Sequence, residues 1–510
     1  MSDTSQNNKR IAKNTLLLYV RMLFIMAVNL YTSRVVLHVL GVEDFGIYNV
    51  VGGVVAMFSV ISGSLSAAIS RFITYELGKG DKEKLTRIFS SSVTIQLGLG
   101  LIILILAEAI GVWFLNSKMT IPVNRMYAAN WVFQLSIFTF VINLISLPYN
   151  AVIIAHERMS AFAYISIFEV IAKLIIVYLL LLSPMDKLVF YAMLMAFVAL
   201  IIRLVYGYYC KRHFEECIFY FIFDKALLKN MFGFAGWNFL GAGSSLLMTQ
   251  GVNILINMFF GVTFNAARGI AVQVDSAVQQ FVNNFTTAVN PQITKSYASE
   301  DLVYMHKLVC IGSKYSFFLT WFFALPLLFE TDMILNIWLN NVPEYASLFL
   351  RLTLCVSLVS VISNTLVTSM LATGNIKRYQ IIVGGLGMSV FILSYVFYKM
   401  GMPVEAAYII NILVFILQLV CRLFLLRGMI KLKIRYFWEK TLSKDLIVVL
   451  FSSLAPLALY LMFEDNIARF FAILVVCVVS NMCVMYLLGM SSNERNMFKA
   501  YIIKIRNKFL

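Results

Sequence analysis

The chain has 510 residues, 61% of them hydrophobic and 13% charged, with a mean hydropathy of +0.85. Soluble domains are about 45 to 50% apolar and about 25% charged, so a water-soluble globule is excluded. The 41 Lys+Arg against 25 Asp+Glu leave a net charge of +16, which fits nucleic acid, anionic lipid or an acidic substrate until the positions of the charges are known.

A membrane helix needs roughly 20 mostly apolar residues, because every backbone polar group in hydrocarbon must bond within its own helix. In chain order such runs cover 11–39, 45–70, 88–115, 126–147, 162–182 and 188–210. After a polar stretch, 211–230, they resume at 231–260, 266–294, 308–329, 345–371, 379–398 and 406–426. A second basic stretch, 427–445, precedes 446–463 and 467–488. The pattern predicts an all-α integral membrane protein with fourteen transmembrane helices grouped six, six and two. Its expected parts are an N-terminal six-helix lobe (1–212), a cytoplasmic linker (213–230), a C-terminal six-helix lobe (231–430), and two last helices with a cytoplasmic tail (431–510). The first apolar run is interrupted by Arg21 and Arg34 and has no small-residue cleavage site, so it reads as a retained helix and not a signal peptide.

Lys and Arg concentrate in short cytoplasmic loops. With the N-terminus inside, cytoplasmic segments receive most of the 41 basic residues, among them Lys9, Arg10 and Lys13, the run from Arg71 to Arg87, Lys377–Arg378, and the stretch from Arg427 to Lys444. The opposite side receives Lys118, Arg125, Lys187, Arg268, Lys399 and Arg469. Both termini are therefore expected in the cytoplasm. Most of the net charge becomes a marker of topology, and nucleic acid is not an expected partner. The two six-helix groups also read as copies, since Gly41–Val42 aligns with Gly261–Val262, Ala68 with Ala288, Ile73–Thr74 with Ile293–Thr294, and Asp81 with Asp301. Two halves of six helices share one orientation, as in parallel-repeat transporters.

Chemistry of the enzyme kind finds little support. No HExxH, phosphate-loop lysine motif, nucleophile elbow or CxxC pair is present, and His38, His156, His213 and His306 are scattered. Neither a metal nor a cofactor is expected. Cys210 and Cys217 flank a basic loop while the other five cysteines lie in apolar runs, so disulfides are not expected. The segment from Arg212 to Cys217 reads as a solvated loop. The longest outer connection, from Glu330 to Glu344, is too short for a catalytic domain.

The eighth span is the most informative. On a helical wheel Gln273, Ser276, Gln279, Gln280, Asn283, Asn284, Thr286, Thr287 and Asn290 share one half, opposite Val274, Ala277, Val278, Phe281, Val282, Phe285, Ala288 and Val289. Amides facing lipid are costly, so this half is expected to face a hydrated cleft or other helices. The second span carries Ser59, Ser62, Ser66 and Ser70 in matching positions, where small polar residues also serve as helix–helix glue. Among intramembrane charges, Arg203, Arg351 and Arg422 lie near span ends and read as snorkelling side chains. Arg21 shares a face with Asn14 and Thr32, and that face is expected to point to the lumen. Arg34 and Arg268 are further lumen candidates. Glu169 and Lys173 form an i,i+4 pair in the favoured order and are coupling candidates, as are Lys314 and Asp275.

These features converge on a resemblance. The six, six and two pattern, Asn14–Thr15 opening the first helix, Ser33–Arg34 near its end, Leu40–Gly41–Val42–Glu43–Asp44–Phe45–Gly46–Ile47–Tyr48 at the outer turn, and Ser70–Arg71–Phe72 through Gly78–Lys79–Gly80–Asp81 at the inner loop resemble the MOP (multidrug/oligosaccharidyl-lipid/polysaccharide) exporter superfamily. Within it the chain is similar to Wzx-type polysaccharide or O-antigen flippases. The resemblance implies two pseudo-symmetric, MATE-like six-helix bundles in the bacterial cytoplasmic (inner) membrane. It also implies an undecaprenyl-pyrophosphate-linked oligosaccharide as substrate, moved to the periplasmic leaflet by alternating access, with membrane lipid and glycan-assembly proteins as partners. Guanidinium groups suit a pyrophosphate, so Arg21, Arg34 and Arg268 are the head-group candidates, and Gln273, Gln280 and Asn283 are candidates for the glycan. Glu169, Lys173 and Asp275 are left for coupling. A multidrug/cation antiporter of the same fold and a membrane glycan polymerase or ligase remain as alternatives.

Overall fold

The structure is a computed structural model, which describes residues 14–499 except 30, 33–34, 37–38, 41–43, 45–46, 49–50, 52–54, 56–58, 119–120, 184, 222–223, 261, 339–341, 465 and 497–498. Among the described residues there is no strand. The helices follow one another as α1 (Asn14–Asn29), α2 (Ser59–Lys79), α3 (Lys82–Leu106), α4 (Val112–Lys118), α5 (Met126–Ala155), α6 (Met159–Leu181), α7 (Lys187–His213), α8 (Lys225–Leu246), α9 (Val252–Phe260) and α10 (Val262–Ala298). They continue as α11 (Leu302–Phe329), α12 (Thr331–Trp338), α13 (Ala346–Val361), α14 (Asn364–Thr373), α15 (Lys377–Tyr379), α16 (Gly385–Lys399), α17 (Ala406–Ile430), α18 (Ile434–Phe437), α19 (Ser443–Met462) and α20 (Ile467–Val484). Short π turns join α3 to α4 (Ala107–Gly111), α8 to α9 (Leu247–Gly251), α15 to α16 (Gln380–Gly384) and α18 to α19 (Trp438–Leu442).

Each of the fourteen expected spans overlaps helix among the described residues. Eleven of the helices so joined, among the described residues, are long and apolar enough to cross a membrane. The other three expected spans correspond to α1, which is apolar but short as described, and to α2 and α10, which are diluted by serines, amides and charges. A few helix starts fall where the sequence supplies a side-chain cap. The Asp81 carboxylate accepts the Lys84 N–H at 3.1 Å just after Gly80, whose φ of +78° suits a residue without a Cβ. Asp186 likewise accepts from the N–H groups of Leu188 and Val189 at the start of α7.

The chain divides into two compact units, 1–242 with 287–301 and 243–286 with 302–510, so that the division passes through α10. In the first unit Phe133, Val132, Leu188, Ala192, Val51 and Leu115 form a buried cluster. Gly111, in the π turn after α3, lies so close to the Phe133 ring that a Cβ there would overlap it. In the second unit α11 is the most enclosed of the described apolar helices, burying among others Leu308, Phe318, Trp321 and Leu325. It seats against the break between α13 and α14, where the Ser313 hydroxyl donates to the Ile362 carbonyl at 2.8 Å and the Thr365 hydroxyl donates to the Val309 carbonyl at 2.9 Å. The bond from Ser313 satisfies a carbonyl that the interrupted helix leaves without its usual partner.

Candidate functional site

In the first unit, α1 packs Leu18 against Met159 and Ala288, which fixes the rotation of the helix and directs Arg21 toward α6. Its guanidinium lies 4.4 Å from the centroid of the Phe162 ring, within electrostatic reach of Glu169 on α6 and Tyr206 on α7. The Arg21 Nε is buried and has no acceptor among the described residues. Glu169 does not supply one: its carboxylate accepts from Lys173 at 2.6 Å and acts on Arg21 only electrostatically, with the Glu169 and Lys173 side chains each 34% exposed. Arg21, Glu169 and Lys173 are thus brought together, whereas Arg34 lies outside the described residues.

In the second unit Arg268, on the first turns of α10, is 8% exposed. Its Nη2 donates to the Thr249 carbonyl at 3.2 Å, and its guanidinium lies 5.4 Å from the Tyr408 ring centroid. Thr249 belongs to the π turn between α8 and α9, where the regular ladder of backbone hydrogen bonds is disturbed. Asp275, two turns on, is half-buried and faces Ser357 and Gln279, with Oδ1 buried and without a donor among the described residues. Gln273, Gln280 and Asn283 are exposed along the same helix.

The polar half of α10 is less open than its pattern predicts. Asn284 and Thr286 are buried, and they donate to the carbonyls of Gln280 and Asn283 on their own helix. Such bonds satisfy a polar group without water, which is why composition alone overstates hydration. In α2, Ser66 and Ser70 are half-buried, while the side chains of Ser59 and Ser62 lie outside the described set.

Two readings from the sequence are corrected. Arg422 does not snorkel. It is 8% exposed and donates to the Tyr379 hydroxyl at 2.7 Å, Ser363 Oγ at 2.9 Å and Gln418 Oε1 at 3.3 Å. The segment from Arg212 to Cys217 is not a solvated loop throughout, since Phe214, Glu216 and Cys217 are buried. The Phe214 ring stacks on His156 at 4.3 Å, and the imidazole Nε2 meets the Glu216 carboxylate at 2.5 Å. Although burial opposes it, that bond holds the Glu216 carboxyl below its ordinary value. Arg203, read as snorkelling, is half-buried with its guanidinium 3.9 Å from the Tyr149 ring centroid, which is compatible with that reading.

One prominent group escaped sequence reasoning. Glu157, in the turn between α5 and α6 with φ of 57°, has a carboxylate that is 1% exposed and accepts from Gln292 and from Lys295, both at 2.6 Å. Its backbone carbonyl accepts from the Asn14 side chain at 3.3 Å. One turn residue therefore ties the start of α1 and the end of α10 within the first unit. Asn14 and Lys295 were visible in the sequence, but nothing local connects them.

Comparison with known proteins places this geometry in context. The family described as "Polysaccharide biosynthesis protein" matches residues 11–297. A curated relative, the "Uncharacterized membrane protein EpsK" of Bacillus subtilis (strain 168), is 21% identical over 279 residues. That match spans 54% of this chain and about half (54%) of the relative's length. Among solved structures, a crystal structure of MATE in the bent conformation matches with a TM-score of 0.72 at 13% identity, covering 83% of this chain and 96% of the other. An outward-facing multidrug resistance MATE family transporter of the MOP superfamily gives 0.70 at 15% identity, covering 83% and 96%. A MOP superfamily transporter from Pyrococcus furiosus, described as having a binding pocket of reverse polarity that suggests a different function, gives 0.67 at 16% identity, covering 83% and 96%. These likenesses define a MATE-like fold.

Proposed function

Because the chain belongs to the polysaccharide biosynthesis protein family of the MOP superfamily, and so is a multi-pass membrane protein of transporter fold, we propose that it flips an undecaprenyl-pyrophosphate-linked oligosaccharide. The movement runs from the cytoplasmic to the periplasmic leaflet of the bacterial cytoplasmic membrane by alternating access, with both termini in the cytoplasm. Arg21 is the observation that carries this reading. A guanidinium held against an aromatic face, with a buried donor that no described residue accepts, is preorganised for an anion such as a pyrophosphate oxygen. Arg268 is the second head-group candidate and Arg34 the third. The exposed amides of Gln273, Gln280 and Asn283 suit sugar hydroxyls, which both donate and accept. Glu169, Lys173 and Asp275 are the coupling candidates.

A second reading, a cation antiporter of the same fold, draws on the Asp275 oxygen that lacks a donor. The two separate by experiment. In liposomes the purified protein should translocate a labelled lipid-linked oligosaccharide without altering its covalent structure, and Arg21→Ala should lower this roughly 10- to 100-fold at normal protein level. Loss of cationic-dye transport in Asp275→Asn, with Arg21→Ala unaffected, would establish the antiporter instead. A lengthened glycan product would establish a polymerase or ligase.

A further inference from the structure

Two side-chain bonds fix the register between α11 and the helix formed by the Trp438–Leu442 turn and α19. The Thr441 hydroxyl donates to the Cys310 carbonyl at 3.1 Å, and the Trp321 Nε1 donates to the Ser452 hydroxyl at 2.8 Å. Both pairs are separated by 131 residues along the chain, so the two helices run parallel. The same offset sets Asp445 level with Lys314. Residues 441, 445 and 452 share one helix face, as do 310, 314 and 321, so Asp445 and Lys314 occupy the rung between the two bonded ones.

That rung is unusual in what it lacks. Asp445 is 3% exposed, and both of its carboxyl oxygens are buried with no donor among the described residues. Lys314 is 4% exposed and acts electrostatically on Asp445. Its ammonium, however, donates to the two Glu494 oxygens at 2.9 and 2.8 Å and to the Gly489 carbonyl at 3.3 Å. Those bonds use all three of its protons. Other titratable groups on the surrounding elements include Cys310 and Tyr315 on α11, Tyr436 on α18, Glu439 and Lys440 in the π turn, Cys477 on α20, Tyr486 just after it, and Lys444, whose ammonium goes to the Leu488 carbonyl at 3.2 Å. None of them donates to Asp445. Two carboxylates beside one ammonium would leave a buried, unsolvated negative charge, which a protein interior tolerates poorly. One proton cancels it.

We propose that Asp445 is a proton-binding site and that Lys314 is the group that exchanges partners when the proton moves. With the proton on Asp445, Lys314 pairs with Glu494 and tethers the segment after α20 to α11. When the Asp445 O–H bond breaks and its proton passes to water as hydronium, the Lys314 ammonium turns to the new carboxylate on its own rung. Glu494, nearer the surface with a side chain 13% exposed, is then released to solvent. The site lies wholly in the second unit, does not include the proposed head-group arginines, and does not rest on the flippase reading.

Infrared spectroscopy of the purified full-length protein in lipid tests this without any substrate, so its outcome is independent of whether the protein flips glycolipid. The difference spectrum between the wild type and Asp445→Asn should contain the carbonyl stretch of a protonated carboxylic acid at neutral pH, and the band should fade as pH rises. Removing the neighbouring cation in Lys314→Gln should move that fading upward by ~1 to 3 pH units. Should Asp445→Asn fail to fold, Asp445→Glu should shift the band in place of removing it. A wild-type spectrum without an Asp445 band at any pH, or a Lys314→Gln protein that titrates as the wild type does, would overturn the proposal.

Discussion

Arg21 and Arg268 carry the same sequence signal, an arginine within an expected membrane span, yet the two units treat them differently. Arg268 is enclosed and bonded to a backbone carbonyl of its own unit, while Arg21 has an aromatic face, a carboxylate already taken by Lys173, and a buried Nε without an acceptor among the described residues. A ligand anion at Arg21 gains hydrogen bonds without breaking any, each worth about 1.5 to 3 kcal/mol when charged. At Arg268 one of the donors is already committed to the Thr249 carbonyl. The difference leaves Arg21 the better placed of the two to meet an anion and Arg268 the more committed to the fold.

The largest effect should therefore be on transport. Arg21→Ala should lower flipping of a lipid-linked oligosaccharide roughly 10- to 100-fold, by the loss of one charged contact. Arg21→Lys should restore part of it, since an ammonium keeps the charge and loses the planar fork. Arg268→Ala should reduce transport less. If the order reverses while both proteins accumulate normally, the comparison fails.

For stability the order should invert. Arg268→Ala leaves the Thr249 carbonyl without its side-chain donor, which costs about 1 to 3 kcal/mol for a buried group. Arg21→Ala removes a ring contact worth about 0.5 to 2 kcal/mol, and it also relieves a donor with nothing to bond. Thermal unfolding in detergent should place Arg268→Ala below Arg21→Ala. Equal melting points would mean that the Thr249 bond contributes nothing.

The pair next to Arg21 offers a smaller and sharper test. Glu169 and Lys173 are one helical turn apart and a third exposed, so the pair contributes only about 0.2 to 0.5 kcal/mol. Glu169→Gln should leave the melting point nearly unchanged and should not reduce binding of an anion at Arg21, from which it removes a competing carboxylate. A more than tenfold loss of transport in this variant would reassign Glu169 from pairing to coupling.

What the sequence discloses of this molecule follows the range of each interaction. Spans are legible because a run of apolar residues is a local property. The Glu169–Lys173 pair is legible for the same reason, its partners being one turn apart. Glu157 is not, because its partners Gln292 and Lys295 lie on a helix more than a hundred residues away. Arg422 is misread for a related cause. Its position near a cytoplasmic end is compatible with snorkelling, but the break after Val361 presents Ser363, and α17 turns the guanidinium inward toward it and Tyr379. Whether Arg21 or Arg268 has a free donor is likewise decided by neighbours from other helices.

Arg125 stands at the far end of the comparison, an arginine whose donors go to carboxylates. It bonds Asp44 through Nε at 2.7 Å and Nη2 at 2.6 Å, and Asp186 through Nη1 at 2.5 Å, joining the expected outer turn of the first helix pair to the start of α7. Partial burial opposes ionisation of Asp186, but the bonds from Arg125 and from the N–H groups of Val189 and Leu188 prevail and hold its carboxyl below the ordinary value. A depressed carboxyl stabilises the fold above its unfolded value, about 3.9 for Asp, and the contribution is lost as pH falls through the lower folded value. The Asp186 side chain is 37% exposed, so solvent and salt screen the pair and the effect should stay below about 1 kcal/mol. Asp186→Asn should thus melt slightly below the wild type by a constant margin from neutral pH down to about pH 5, and the two should converge on further acidification. A margin that grows on acidification would mean that the Asp186 carboxyl is raised on folding, and Arg125 would then not be the saturated counterpart to Arg21 that its bonds describe.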